Sequence, residues 1–249
     1  MVDETIPRRR FLLGAGLAGT AVVTGLAPVV PMPAAAQTPA APQSDPPAAQ
    51  SDKPAAADAQ PLLTLTETEH AFIIATVDTL IPADELSPAG SECGVATFID
   101  RQLASAWGGG AKMYRGGPFR KGKPEQGYQL PLTPREFFAT GIAAANDWSH
   151  KTYGKSFDRL SAADRVAALQ AMETGKAKFQ RFSSRAFFNQ LLTITMQGFF
   201  SDPIYGGNHG MVSWKMLGYP GLPATYADLI DEYRAKRYVA PPQSIADFS

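Results

Sequence analysis

Asp202 and His209 are the pair in this sequence best suited to acid–base work. The turn Tyr205-Gly206-Gly207-Asn208-His209 presents one imidazole, and a general base needs an orienting group, for which Asp202 is near in sequence. A lone His and Asp in a turn read first as structural. The competing reading is an independent periplasmic hydrolase using both residues. Gly206-Gly207-Asn208 could also cradle an anion through backbone N–H groups, but no Gly-Lys-Ser or Gly-Lys-Thr follows to make a nucleoside-phosphate site. His70 sits beside Glu67 and Glu69 at a helix start, where solvated charges suit the helix dipole better than a metal whose other ligands cannot be located.

Other chemistry is excluded by count. Cys93 is the sole cysteine, so disulfide frameworks, Cys-based zinc clusters, iron–sulfur ligation and C-x-x-C-H haem attachment are ruled out within the chain. His70, His150 and His209 are the only histidines. Lys+Arg 23 and Asp+Glu 23 cancel, leaving no basic field for nucleic acid. Gly14-Ala15-Gly16-Leu17-Ala18-Gly19 matches G-x-G-x-x-G letter for letter. It follows an arginine triplet rather than a strand, and no Asp or Glu occurs between Glu4 and Asp45, so it is not a dinucleotide site. The sequence argues against a self-sufficient redox enzyme and predicts no cofactor on this chain.

The segment holding that false match reads as an address. Arg8-Arg9-Arg10-Phe11-Leu12-Leu13 opens a weakly apolar, glycine-rich stretch to about Val30, and Ala34-Ala35-Ala36 offers a small-x-small cleavage site after Ala36. Arg8, Arg9 and Phe11 make it the twin-arginine form, and residues 1–36 are predicted to be a signal peptide, with an uncleaved anchor as the alternative. That route carries folded proteins, usually because a cofactor is inserted before export. A chain without a cofactor motif therefore either folds too fast for the other route or travels with a cofactor-bearing partner.

The elements that would position the candidate residues come after a tether. Residues 37–61 contain eight Ala and six Pro, with no aromatic and no Val, Ile, Leu or Met, which predicts a flexible linker. Removing residues 1–36 takes three Arg, Asp3 and Glu4, leaving 20 basic against 21 acidic residues and a net charge of −1. From Leu62 the pattern is helical. Thr66-x-x-Glu69 is a capping box that opens a helix ended by Pro82. Val95–Trp107 predicts a second helix, Thr133-Pro134-x-Glu136 opens a third to about Tyr153, Ser161-x-x-Asp164 a fourth, Ser184 a fifth to about Phe200, and Tyr226–Arg237 a sixth. The expected fold is all-α: one compact helical domain over residues 62–240 with two long loops, then a tail over residues 241–249.

Both loops invite a functional reading. Gly108–Pro131 holds seven Gly and five basic residues, including Arg115, against one acid, Glu125. It is either a solvated loop or a contact surface for an acidic partner. Ser201–Pro223 lies in a 37-residue stretch, Phe187–Pro223, in which only Asp202 and Lys215 are charged and seven residues are aromatic. At the chain-wide 18% of charged residues, several more charges would be expected there, so the stretch must be buried in its own core or against a partner. Phe188, Leu191, Leu192 and Thr195 fit a core-facing helix stripe. The loop beyond Phe200 is read as partner contact, with a self-packed Ω-loop as the alternative.

The run Phe199-Phe200-Ser201-Asp202-Pro203-Ile204-Tyr205-Gly206-Gly207-Asn208, continuing to Trp214-Lys215-Met216-Leu217-Gly218-Tyr219-Pro220-Gly221, resembles the signature of the gluconate 2-dehydrogenase subunit 3 family. Tyr114-Arg115-Gly116-Gly117-Pro118-Phe119, Gly127-Tyr128-Gln129 and Pro131-Leu132-Thr133-Pro134 resemble that family's middle section, and the twin-arginine start matches too. His209-Gly210 departs from it, standing where a basic and then an acidic residue are expected. The resemblance, over about Leu62–Tyr238, implies a small cofactor-free subunit of a periplasmic, FAD-dependent sugar or sugar-acid dehydrogenase complex at the outer face of the cytoplasmic membrane. Its implied partners are an FAD-binding catalytic subunit of the glucose–methanol–choline type and a membrane-bound multi-haem cytochrome c. The small subunit would escort the flavoprotein through the twin-arginine translocase and stabilise it. The interface is then expected at Phe200, Asp202, Tyr205, Met211, Trp214, Lys215, Met216 and Tyr219, with Arg115 and Phe119 from the basic loop. A secreted binding module remains a third reading.

Overall fold

The computed structural model describes residues 61–120, 122–123, 126–221 and 225–248. The predicted signal peptide, its cleavage site and nearly all of the linker lie outside them. The described residues belong to one unit, all-α, with seven α-helices among them: α1 Glu67–Leu80, α2 Val95–Ala104, α3 Pro134–Tyr153, α4 Ala162–Glu173, α5 Ser184–Phe200, α6 Val212–Leu217 and α7 Ile230–Tyr233.

Helix starts follow local chemistry. Thr66 accepts from the Glu69 N–H while the Glu69 carboxylate accepts from the Thr66 N–H, and Thr133 and Glu136 repeat this reciprocal box on α3, with Pro134 in the first turn. Ser161 and Ser183 cap α4 and α5 with their hydroxyls. Gly154 closes α3 at φ 74°.

The charge-poor helix α5 is the axis of the core. It packs against α1, α2, α3 and α4, burying Phe187, Phe188, Leu191, Ile194, Thr195 and Phe199. A cluster of rings gathers around its first half. Phe72 lies 4.8 Å from Phe157 and 6.2 Å from Phe187, and Phe137 stacks on Phe182 at 4.5 Å. The chain enters the domain through Asp100 of α2. Its side chain is buried, and its carboxylate accepts from the N–H groups of Leu63, Thr64 and Leu65 at 2.7, 3.0 and 2.8 Å. Three donors on one carboxylate supply the pairing that a buried charge requires.

Two helices are shorter than the sequence pattern predicts. α2 stops at Ala104 rather than Trp107. The Ser105 hydroxyl donates to Gln102 O at 2.7 Å and accepts from Trp107 N at 3.2 Å, competing with the next helical turn. The Arg135 guanidinium then takes the freed carbonyls of Leu103 and Ala104 at 2.9 and 3.2 Å. The Tyr226–Arg237 helix contracts to a 3₁₀ turn at Ala227–Leu229 and the single turn α7. Neither buries a residue, and a short helix with no packed face has little to hold it.

Among the described residues no helix is long and apolar enough to cross a membrane.

Candidate functional site: an apolar groove at the end of α5

Residues 201–221 are not a featureless loop. It carries 3₁₀ turns at Pro203–Tyr205 and His209–Met211, then α6. Charge-poor sequence with scattered glycines has no long periodic run, so these short turns leave no helical signature. What organises them is a buried Asn. Asn208 accepts from Ser213 N at 2.9 Å and Ser213 Oγ at 2.8 Å, and donates to Ser201 O at 2.9 Å. Its backbone sits at φ 48°, in the left-handed region that Asn tolerates, and Met211 follows at φ 55°. Gly207 lies so close to the backbone carbonyl of Gly198 on α5 that a Cβ there would overlap it.

Within this frame the expected interface residues separate. Trp214 turns inward: it is 5% exposed, donates from Nε1 to Phe200 O at 3.0 Å, and meets Tyr219 edge-on at 5.1 Å. Phe200, Met211, Met216 and Tyr219 are half-buried, and Lys215 is exposed. Phe200, Asp202, Tyr205, Trp214, Leu217, Tyr219 and Ile245 line an open groove of about 480 Å³. Exposed apolar side chains crowd it: Tyr205 is 49% exposed, Leu217 58% and Ile245 43%, with Ile204 at 48% beside Tyr205. Scattered apolar residues are ordinary on a surface, whereas these gather in one concavity. Burial raises the pKa of the Tyr219 hydroxyl, with smaller contributions from Tyr226 and Asp202, so it stays a neutral donor at the groove wall.

One wall comes from residues 243–245, which no spacing rule would place there. Ser244 Oγ donates to Asp202 Oδ1 at 2.7 Å and Ile245 N to Oδ2 at 2.8 Å, while Gln243 N donates to Pro220 O at 3.1 Å. Gly221 and Gln243 form an isolated parallel bridge. Asp202 also caps the Pro203–Tyr205 turn by accepting from Ile204 N at 2.9 Å. Its carboxylate is therefore occupied by a hydroxyl and two amides. Among the described residues no hydrogen bond or ion pair joins it to His209, whose imidazole packs over Gly94. The His–Asp arrangement that a hydrolase would need is not assembled here.

Arg115 and Phe119 lie elsewhere, on the connection between α2 and α3. Arg115 is exposed, and Phe119 borders a second depression with Tyr114, Arg120 and Tyr128. That connection is tied down at its end by Tyr128, which stacks flat on Phe137 at 4.1 Å and donates to Leu132 O at 3.2 Å.

Comparison with known proteins places this arrangement. The family model for gluconate 2-dehydrogenase subunit 3 matches residues 67–221, which run from the first turn of α1 to the glycine that pairs with the tail. The chain belongs to this family, whose name makes its members subunits of a dehydrogenase. Neither the curated proteins nor the solved structures give a match.

Proposed function

We propose that this subunit 3 chain is the non-catalytic small subunit of a periplasmic FAD-dependent sugar or sugar-acid dehydrogenase of the gluconate, sorbitol or fructose type. The groove at the end of α5 receives the flavoprotein subunit, of the glucose–methanol–choline type. The small subunit escorts it through twin-arginine export and stabilises it afterwards at the outer face of the cytoplasmic membrane, where a multi-haem cytochrome c takes the electrons. FAD and haem c reside on those partners. The observation that carries this reading is the groove itself: an exposed, concave, nearly uncharged surface built mostly by residues 200–219, which the family model matches, with Ile245 closing one wall. Concave apolar surfaces rimmed by Tyr concentrate binding energy at interfaces. The reading also explains why a chain with a twin-arginine start carries no cofactor motif of its own.

The test is export of the partner. With Arg8→Lys and Arg9→Lys together, the flavoprotein should remain in the cytoplasm of cells expressing the whole complex. Normal appearance of the flavoprotein in the periplasm would refute the escort role.

A further inference from the structure

A second surface stands at the other end of α5. The sequence marks the α2–α3 connection as basic, but not what it packs against. In the fold, Lys123, Gly127, Tyr128, Gln129 and Leu130 of that connection face Arg181, Phe182, Ser183, Arg185, Asn189 and Gln190, enclosing a cleft of about 740 Å³. Lys123, Arg181 and Arg185 are its cationic lining residues, and none of its described lining residues is acidic. Among the described residues none of the three cations forms an ion pair; Arg185 spends its Nε on the Glu173 carbonyl at 2.9 Å. One of them, Arg181, acts on the Glu136 carboxylate of α3. Its oxygens are bound to Thr133, whose hydrogen bonds lower its pKa first, with Arg115 and Arg181 lowering it further. That carboxylate is engaged in capping α3 and is not aimed into the cleft's lining. On the far side of Arg181, a smaller depression carries Asp147 with Lys151 and Lys178.

We propose that this cleft is a docking site for an acidic, extended polypeptide segment of a partner subunit. Arg181 and Arg185 side by side on one described wall of a concavity call for anionic side chains. Asn189 and Gln190 add amide donors that suit carboxylates and peptide carbonyls, and Phe182 and Tyr128 give apolar floor to the intervening residues. A flat anionic membrane would reach the rim but not fill a concave site, so a chain segment fits better than a lipid surface. The cleft reaches Gln190 and the groove begins at Phe200, so ten residues of α5, about 15 Å, separate the two along one helix. The two surfaces can be occupied at once, one by the flavoprotein and one by an acidic segment of either partner. The inference rests on the chain being a complex subunit, but its test does not require the flavoprotein.

The test uses the full mature chain and a fluorescein-labelled hepta-glutamate peptide, read by anisotropy at low salt, with phosphatidylglycerol vesicles as a parallel probe. The peptide should bind, and Arg181→Glu with Arg185→Glu should weaken it by about tenfold or more. Lys155→Glu with Lys236→Glu, which changes net charge equally but lies outside the lining, should leave binding within about twofold, as rim charges away from a contact do little. Circular dichroism confirms folding of both variants. Equal weakening by the two pairs would overturn the site, as would binding to vesicles without binding to peptide. A folded chain that binds neither probe overturns it as well. If instead the peptide binds here while the flavoprotein fails to co-purify, the groove reading fails and the cleft stands.

Discussion

The Asp202 carboxylate, just beyond α5, holds the Ser244 hydroxyl at 2.7 Å across 42 residues of sequence. With the Ile245 N–H on the other carboxylate oxygen, it helps fasten the tail to the family-matched domain and sets Ile245 in the wall of the groove. Asp202→Ala should free residues 243–248 without unfolding the helices. Hydrogen–deuterium exchange should speed up at Ile245, while far-UV circular dichroism is unchanged. Hydrogen bonds to a charged acceptor contribute about 1.5–3 kcal/mol, enough to raise local opening by about an order of magnitude. An unchanged exchange rate would mean that the tail is held by something else.

Asp100 fastens the other end of the domain. Asp100→Asn keeps the shape but loses the charge and turns one oxygen into a donor facing backbone N–H groups. The expected cost is about 2–3 kcal/mol, read as a fall in Tm of roughly 4–12 °C. A change of less than a degree would show that the three amides find other partners at no cost.

Tyr128 predicts the alkaline limb of stability. Burial, helped by the Glu136 carboxylate, pushes its hydroxyl up to about 12 from 10.0. The folded state favours the neutral phenol, so its contribution is intact below about pH 10 and is lost as pH rises toward 12. Tyr128→Phe keeps the ring stack on Phe137 and should flatten the fall in Tm over that window. Glu136 predicts the acid limb with the opposite sign. Its hydrogen bonds with Thr133, then Arg115 and Arg181, lower its pKa from 4.5, so its contribution is present above that value and is lost as pH falls below it. Glu136→Gln should lose less Tm on acidification than the parent chain.

Gly207 tests how tightly the site is tied to its helix. Gly207→Ala forces a methyl group into the Gly198 carbonyl, and overpacking of this kind costs about 1–3 kcal/mol. Because the obstacle is backbone, the loop rather than α5 should yield. Trp214 emission should shift to the red as its ring is exposed. An unshifted spectrum with unchanged Tm would contradict the close approach.

What was legible in the sequence follows from how far each signal reaches. The capping box at Thr66/Glu69 and the helix start at Thr133-Pro134-x-Glu136 act within one turn, so residue type and spacing suffice, and the structure places both as expected. Ser105 defeated the apolar periodicity of Val95–Trp107 because its hydroxyl competes locally with the helix. The paired folding of Asn208 with Ser213, and of Asp202 with Ser244, depends on contacts whose partners no spacing rule names. The same holds for Trp214. Its composition-based reading as a contact residue did not reveal that its indole N–H would be taken by Phe200 O within the chain. The exposed Leu217 and Ile245, which sequence reasoning passed over, became visible only once the tail was in place.

The groove at the end of α5 is proposed to hold the flavoprotein subunit. The most direct measurement is the absorbance spectrum of the tagged full chain purified from its own cell envelope, beside the double variant Tyr205→Asp, Leu217→Asp. The parent should carry stoichiometric FAD on a co-purifying large subunit. The variant should be folded, monomeric and colourless. A parent chain that elutes as a stable monomer without flavin, or a variant that keeps its full flavin complement, would show that the groove does not hold the flavoprotein.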